Sequence, residues 1–142
     1  MLTDGGGGPV SAVVAPANRH DSLVLQDMLE AVVVEPPPPE QVEQRLCLDA
    51  AFVGEGCDAT ARVFGYEPHV RPIGEERSAK KKQKKGKARH KPRRWVVERT
   101  FAWLSRWRGI LVRYEKKAAN YLGAVQLACA LLWFRRLHRL TT

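Results

Sequence analysis

The 142-residue sequence has few cysteines and no long apolar run, and one stretch has no acid at all. Its three cysteines, Cys47, Cys57 and Cys129, are odd in number and form neither a CxxC nor a Cys/His pair at zinc spacing. That excludes a disulfide framework and a zinc finger, and a reduced, cytoplasmic chain is the simplest reading. The N-terminus has no basic segment followed by an apolar one, so no signal peptide is expected. The longest apolar stretch, YLGAVQLACALLWF at 121–134, is 14 residues with Gln126 inside it. A bilayer helix needs about 20. A buried core helix with no membrane partner is therefore expected, and no internal repeat suggests a solenoid.

Residues 80–94, KKKQKKGKARHKPRR, hold ten of the 24 basic residues and no acid. The remainder has 14 basic against 15 acidic residues, so the net charge of +9 is one local feature. It points to a polyanion such as nucleic acid. Lys80, Lys81, Lys82, Lys84 and Lys85 are candidate backbone-phosphate contacts, giving affinity without sequence preference and a steep salt dependence. A plain solvated linker is the alternative.

Along the chain, LTDGGGGPVSAVVAP (2–16) predicts a hairpin, with VSAVV as strand and the glycines in the turn. Asp21 is a plausible N-cap for a helix in which Leu23, Met28 and Leu29 fall at helical spacing. EPPPPE (35–40) is an extended linker. RLCLDAAF (45–52) reads as a buried strand running into a loop, GEGCDATARVFG (54–65) as a helix ending at Gly65, and YEPHVRPI (66–73) as a second short strand. A helix of about 15 residues follows Pro92 and ends near Gly109. ILVRYEK is short and extended or turned, and 117–138 is the last helix. The pattern is mixed α/β.

RRWVVERTFAW (93–103) holds one acid, Glu98. On a helix, Val96, Thr100, Trp103, Leu104 and Trp107 share one arc, widened by Val97 and Phe101. Glu98 lies just beyond that arc, in line with Arg94, Ala102 and Ser105. It either pairs with Arg94 at i,i+4 or stands where something can approach it. Asp49 closes LCLD at a strand's C-terminal end, where α/β sheets place their chemistry; its alternative role is a loop cap. Two such carboxylates suit Mg²⁺, which takes oxygen ligands and usually one or two protein carboxylates. By spacing, Trp95, Trp103, Trp107 and Trp133 belong mostly to the core, with Trp95 nearest the polar side. The four histidines are scattered and suggest no site.

The stretch RRWVVERTFAWLSRWRGILVRYEKKAANYLGAVQLACALLWFRRL (93–137) resembles the C-terminal portion of bacterial insertion-sequence transposases of the DDE class. CLDAAFVGEGCDATARVFGYEPHVRP (47–72) is similar to that family's second-aspartate segment, and LTDGGGGPVSAVVAPANRHDS (2–22) to the hairpin before it. The resemblance implies an α/β, RNase H-like fold, a mixed sheet with flanking helices. It also implies two Asp and one Glu holding two divalent metals, Mg²⁺ or Mn²⁺, that cut and join DNA. Asp49 matches the second Asp and Glu98 the Glu, both as catalytic metal ligands. Arg94 matches an arginine four residues before the Glu. Seven residues after it, where relatives often carry lysine, stands Ser105, with Arg106 beside it. Arg94, Arg99 and Arg106 are the expected phosphate contacts.

The first Asp belongs on the first, central strand of such a fold, upstream of the hairpin. Neither Asp4 nor Asp21 matches it. A partial RNase H-like fold with its first central strand missing is therefore expected, over 1–74 (core), 75–92 (basic linker) and 93–142 (helices carrying the Glu). The chain then reads as the downstream half of a split frame, partnered by an upstream half, or as a truncated copy inactive alone. A non-catalytic basic DNA-binding remnant is the alternative. The complete enzyme would act on transposon ends and target DNA as an oligomer, associated with the nucleoid.

Overall fold

The computed structural model describes residues 1–38, 40–70 and 94–141, and for Arg94 the backbone only. Strands β1 (Leu2–Thr3) and β2 (Pro9–Ser11) pair antiparallel. Their turn is tied by Asp4, whose Oδ1 accepts from Gly6 N at 2.9 Å and Gly8 N at 2.5 Å, an Asx-type turn. Gly7 closes it at φ 84°, a conformation that favours glycine. The predicted strand VSAVV stops at Ser11, because β1 offers only Leu2 and Thr3 as partners.

A 3-10 turn, Asp21–Val24, leads into helix α1 (Leu25–Glu30). The cap is His20, whose ring nitrogen accepts from Ser22 N, and not Asp21 as the sequence suggests. The tighter 3-10 turn rotates the buried face: Leu25 replaces Leu23 beside Met28 and Leu29, and Leu23 is 63% exposed.

Strand β3 (Gln44–Leu48), a 3-10 turn (Ala50–Phe52), helix α2 (Glu55–Val63) and strand β4 (Tyr66–Val70) follow. β3 and β4 run parallel in register from Gln44↔Tyr66 to Leu48↔Val70, and α2 makes the crossover that parallel strands require. Gly65, at φ 80°, ends α2 as predicted. Leu25, Met28 and Leu29 of α1, Leu46 of β3, and Cys57 and Ala61 of α2 form the core between these elements. Among the described residues the strands make two separate two-stranded sheets.

Helix α3 (Arg94–Leu104) buries Val96, Thr100 and Leu104 of the arc read from the sequence, with Val97 and Trp103 half-buried and Phe101 exposed, not core. Gly109 does not end it. The chain leaves the helix at Leu104, turns through Ser105 and Arg106, and is extended at Trp107 (φ −85°, ψ 112°). Gly109 lies inside the one-turn helix α4 (Arg108–Leu111), which takes up Ile110 and Leu111 of ILVRYEK; the rest of that segment, 112–116, is extended or turned as expected. Trp95 and Trp107 are exposed, not core. Helix α5 (Ala118–Thr141) buries Val125, Ala128 and Leu132 and packs on α3, and Tyr121 Oη donates to Ile110 O at 3.0 Å, joining it to α4. No helix among the described residues is long and apolar enough to cross a membrane.

The packing separates the three thiols. Cys47 is exposed, Cys57 is buried, and burial pushes the Cys129 thiol up from its ordinary value. Native-state alkylation should label Cys47 first, with Cys57 slower by about tenfold or more until denaturant is added. Equal labelling of Cys47 and Cys57, read by peptide mass spectrometry, would contradict the α1/α2/β3 core.

Candidate active site and nucleic-acid interface

Asp49 follows β3 directly, at the C-terminal edge of the parallel pair, as LCLD predicts. It caps the 3-10 turn, its Oδ1 accepting from Ala50 N at 2.7 Å, and it is exposed. The loop-cap role is therefore real. It does not preclude a ligand role, because a carboxylate carries acceptor sites on both oxygens. Glu98 is exposed in the second turn of α3, beyond the buried arc. The main contacts of α3 are with β1 and α5.

Among the described residues no group of three or more His, Cys, Asp or Glu side chains is placed to hold a metal ion. Asp49 and Glu98 are nonetheless solvent-accessible oxygen donors of the kind a hard divalent cation takes, and two carboxylates completed by water suit Mg²⁺. The donor chemistry fits.

The structure does bring the hairpin loop and the two long helices together. Arg99 Nη2 donates to Gly6 O at 2.6 Å, and Thr100 Oγ1, buried, donates to Gly7 O at 2.8 Å. From α5, Arg136 Nη2 donates to the same Gly6 carbonyl at 2.5 Å, and Trp133 Nε1 donates to Pro9 O at 2.8 Å. Every one of these acceptors is a backbone carbonyl of the glycine loop or of Pro9 beside it. The glycine run therefore does more than turn the chain: it lets α3 and α5 close on its backbone.

Of the sequence-derived phosphate contacts, Arg99 sits at this junction, while Arg106 is exposed just past the end of α3. The Arg94 side chain and Lys80, Lys81, Lys82, Lys84 and Lys85 lie outside the described residues. The sequence reading passed over Arg135, Arg136 and Arg139. Their spacing on α5 was the available signal: cations at i, i+1 and i+4 share one side of an otherwise apolar helix.

The structure is thus a mixed α/β chain with exposed carboxylates at a strand end and on a helix, and with arginines gathered where the hairpin loop meets α3 and α5. Residues 1–133 match the model of the transposase DDE domain, and the chain belongs to that family. It is 30% identical over 146 residues to a putative transposase for insertion sequence element IS402 of Burkholderia cepacia. That alignment takes in 98% of this chain and 63% of the relative, so the chain spans less than two thirds of the relative's length. No solved structure matches.

Proposed function

We propose that this chain supplies part of the active site and part of the DNA-holding surface of a transposase that cuts and joins DNA strands at transposon ends and target. Asp49 and Glu98 hold Mg²⁺ or Mn²⁺ in a two-metal site. Arg94, Arg99, Arg106 and Lys80, Lys81, Lys82, Lys84 and Lys85 lie along the phosphates. The bound cations supply activation of a water or 3′-OH and stabilisation of the leaving oxygen. The chain's own part is to fix the two carboxylates on a strand end and a packed helix, and to keep the strand against them with fixed cations.

In this reading the fold is RNase H-like. Residues 1–74 and 93–142 form its core, joined by the basic linker 75–92. The antiparallel pair β1–β2 and the parallel pair β3–β4 would flank a central strand, and an upstream segment supplies that strand with the remaining Asp. The complete enzyme works in the bacterial cytoplasm at the nucleoid, as an oligomer. The observation that carries this reading is the family match, whose span, residues 1–133, takes in both Asp49 and Glu98.

The test is metal mapping. Fe²⁺ with ascorbate and peroxide cleaves backbone beside a bound divalent cation. In a protein carrying the complete domain, cuts are expected near Asp49 and Glu98. Excess Mg²⁺ should suppress them, and Asp49→Asn should remove them. Cuts elsewhere, or cuts unchanged in both Asp49→Asn and Glu98→Gln, would exclude these ligands.

A further inference from the structure

The junction of the hairpin loop with α3 and α5 encloses a cleft of about 320 Å³, lined by Gly7, Thr100 and Trp103 and by Arg99, Arg135, Arg136 and Arg139. Leu132 completes its wall, and no lining residue is acidic. We propose that this cleft is a seat for a backbone phosphate of DNA, with Arg135 and Arg139 as phosphate contacts on the last helix. The proposal rests on the DNA-handling reading above and extends it to residues that neither the sequence motifs nor the family pattern pointed to.

Four guanidinium groups converge on one small volume, where like charges repel unless an anion joins them. Among the contacts of the described residues, Asp4 is an acid that pairs with them, and it compensates only in part. It stands 3.8 Å from Arg136 Nη1, and its Oδ1 already accepts from two backbone N–H groups. The cluster therefore keeps a surplus of positive charge.

The guanidinium groups are also held in place in advance. Arg99 and Arg136 are both tied to Gly6 O, which costs each one of its five donors. Arg136 lies over the Trp133 ring at 5.5 Å and Arg135 over Trp103 at 5.7 Å, so two of the planes are fixed by aromatic faces. A planar fork held this way matches phosphate oxygens bidentately, which a lysine cannot do. Gly7 keeps the floor open: a Cβ there would stand 3.0 Å from Arg99 Nη2 and 3.1 Å from Thr100 Oγ1.

Two features favour a nucleic-acid phosphate over another anion. The basic run 80–94 precedes α3 in sequence and holds ten basic residues and no acid, a composition suited to a polyanion. Arg99 also neighbours Glu98 in sequence, so the cleft is built in part on the helix that carries the proposed metal ligand.

The experiment uses the full 142-residue chain and a 20-base-pair duplex, with binding read by fluorescence anisotropy across a salt series. Each phosphate contact contributes about 0.9 to the slope of log K against log salt. Arg135→Ala/Arg139→Ala should lower that slope by about 1 to 2 and weaken binding by roughly tenfold at 100 mM salt. Arg139→Lys should keep the slope, since a cation remains. Inorganic phosphate should raise the melting temperature of the native chain more than that of the double variant. If the double variant fails to fold, Arg139→Glu alone, at an exposed position, carries the same test.

A folded variant with unchanged slope and affinity overturns the cleft while leaving the DNA-handling reading intact, because the native chain still binds. A native chain that shows no salt-dependent binding overturns both. A phosphate effect with no change in duplex binding means the cleft takes free phosphate only, and this too overturns the DNA assignment.

Discussion

Glu98→Gln, in a transposase carrying the complete domain, should reduce strand transfer by on the order of 10³-fold or more while leaving DNA affinity unchanged or slightly higher. The substitution keeps the length of the side chain and its capacity to accept a hydrogen bond. It removes the negative charge that a hard divalent cation needs. Glu98 is exposed on α3, so no core packing goes with it, and the stability change should stay within about 0.5 kcal/mol. Members of a metal cluster act as a unit, so losing one ligand costs most of what the set provides. DNA affinity moves the other way, because an acid beside phosphates repels them. The combined result, transfer lost with binding and melting temperature kept, separates a metal ligand from a structural acid. Strand transfer at the native rate in a folded Glu98→Gln protein would remove Glu98 from the mechanism.

The same helix illustrates what was legible in the sequence. Val96, Thr100 and Leu104 repeat at four-residue spacing, and they are the residues α3 buries. Asp49 was legible for a similar reason, as a short apolar run closed by an acid reads as a strand ending at a sheet edge. Two readings on the same stretch failed. Trp95 falls close enough to the apolar arc to read as core, yet it is 55% exposed, with the Arg99 guanidinium 4.9 Å from its ring centroid. Gly109 reads as a helix stop, but the stop comes earlier, where Trp107 turns extended, and no positive φ is needed there.

The arginine cleft was the least legible feature. Arg99 and Arg136 are 37 positions apart, and what joins them is the carbonyl of Gly6, almost at the other end of the chain. Periodicity places residues on a face but says nothing of which distant backbone that face will meet. The sequence reading treated the four glycines as a turn, and Gly6, Gly7 and Gly8 do close it. Their second role, admitting a tryptophan and two arginines to the backbone, exists only once the hairpin docks.

Gly8 gives that second role its sharpest test. A Cβ at Gly8 would stand 2.3 Å from Trp133 Cζ2, 2.7 Å from Cη2 and 2.8 Å from Arg136 Nη1. The first two atoms belong to a rigid indole that is half-buried and fixed through Nε1 to Pro9 O. It cannot yield as the end of a flexible side chain would. Gly8→Ala must therefore push the loop off α5 or swing the indole out. Overpacking of this kind costs about 1–3 kcal/mol, and losing the indole hydrogen bond adds about 1. For a chain of this size the melting temperature should fall by on the order of 10 °C. Gly6→Ala is the matched control. Its nearest neighbours would be 3.4 Å or more away, its φ is not positive, and its cost should stay near 0.5 kcal/mol. Thermal melts followed by tryptophan fluorescence report both stability and the environment of Trp133. If Gly8→Ala melts with the native protein and the Gly6→Ala control, the loop does not pack against α5, and the cleft built on that packing goes with it.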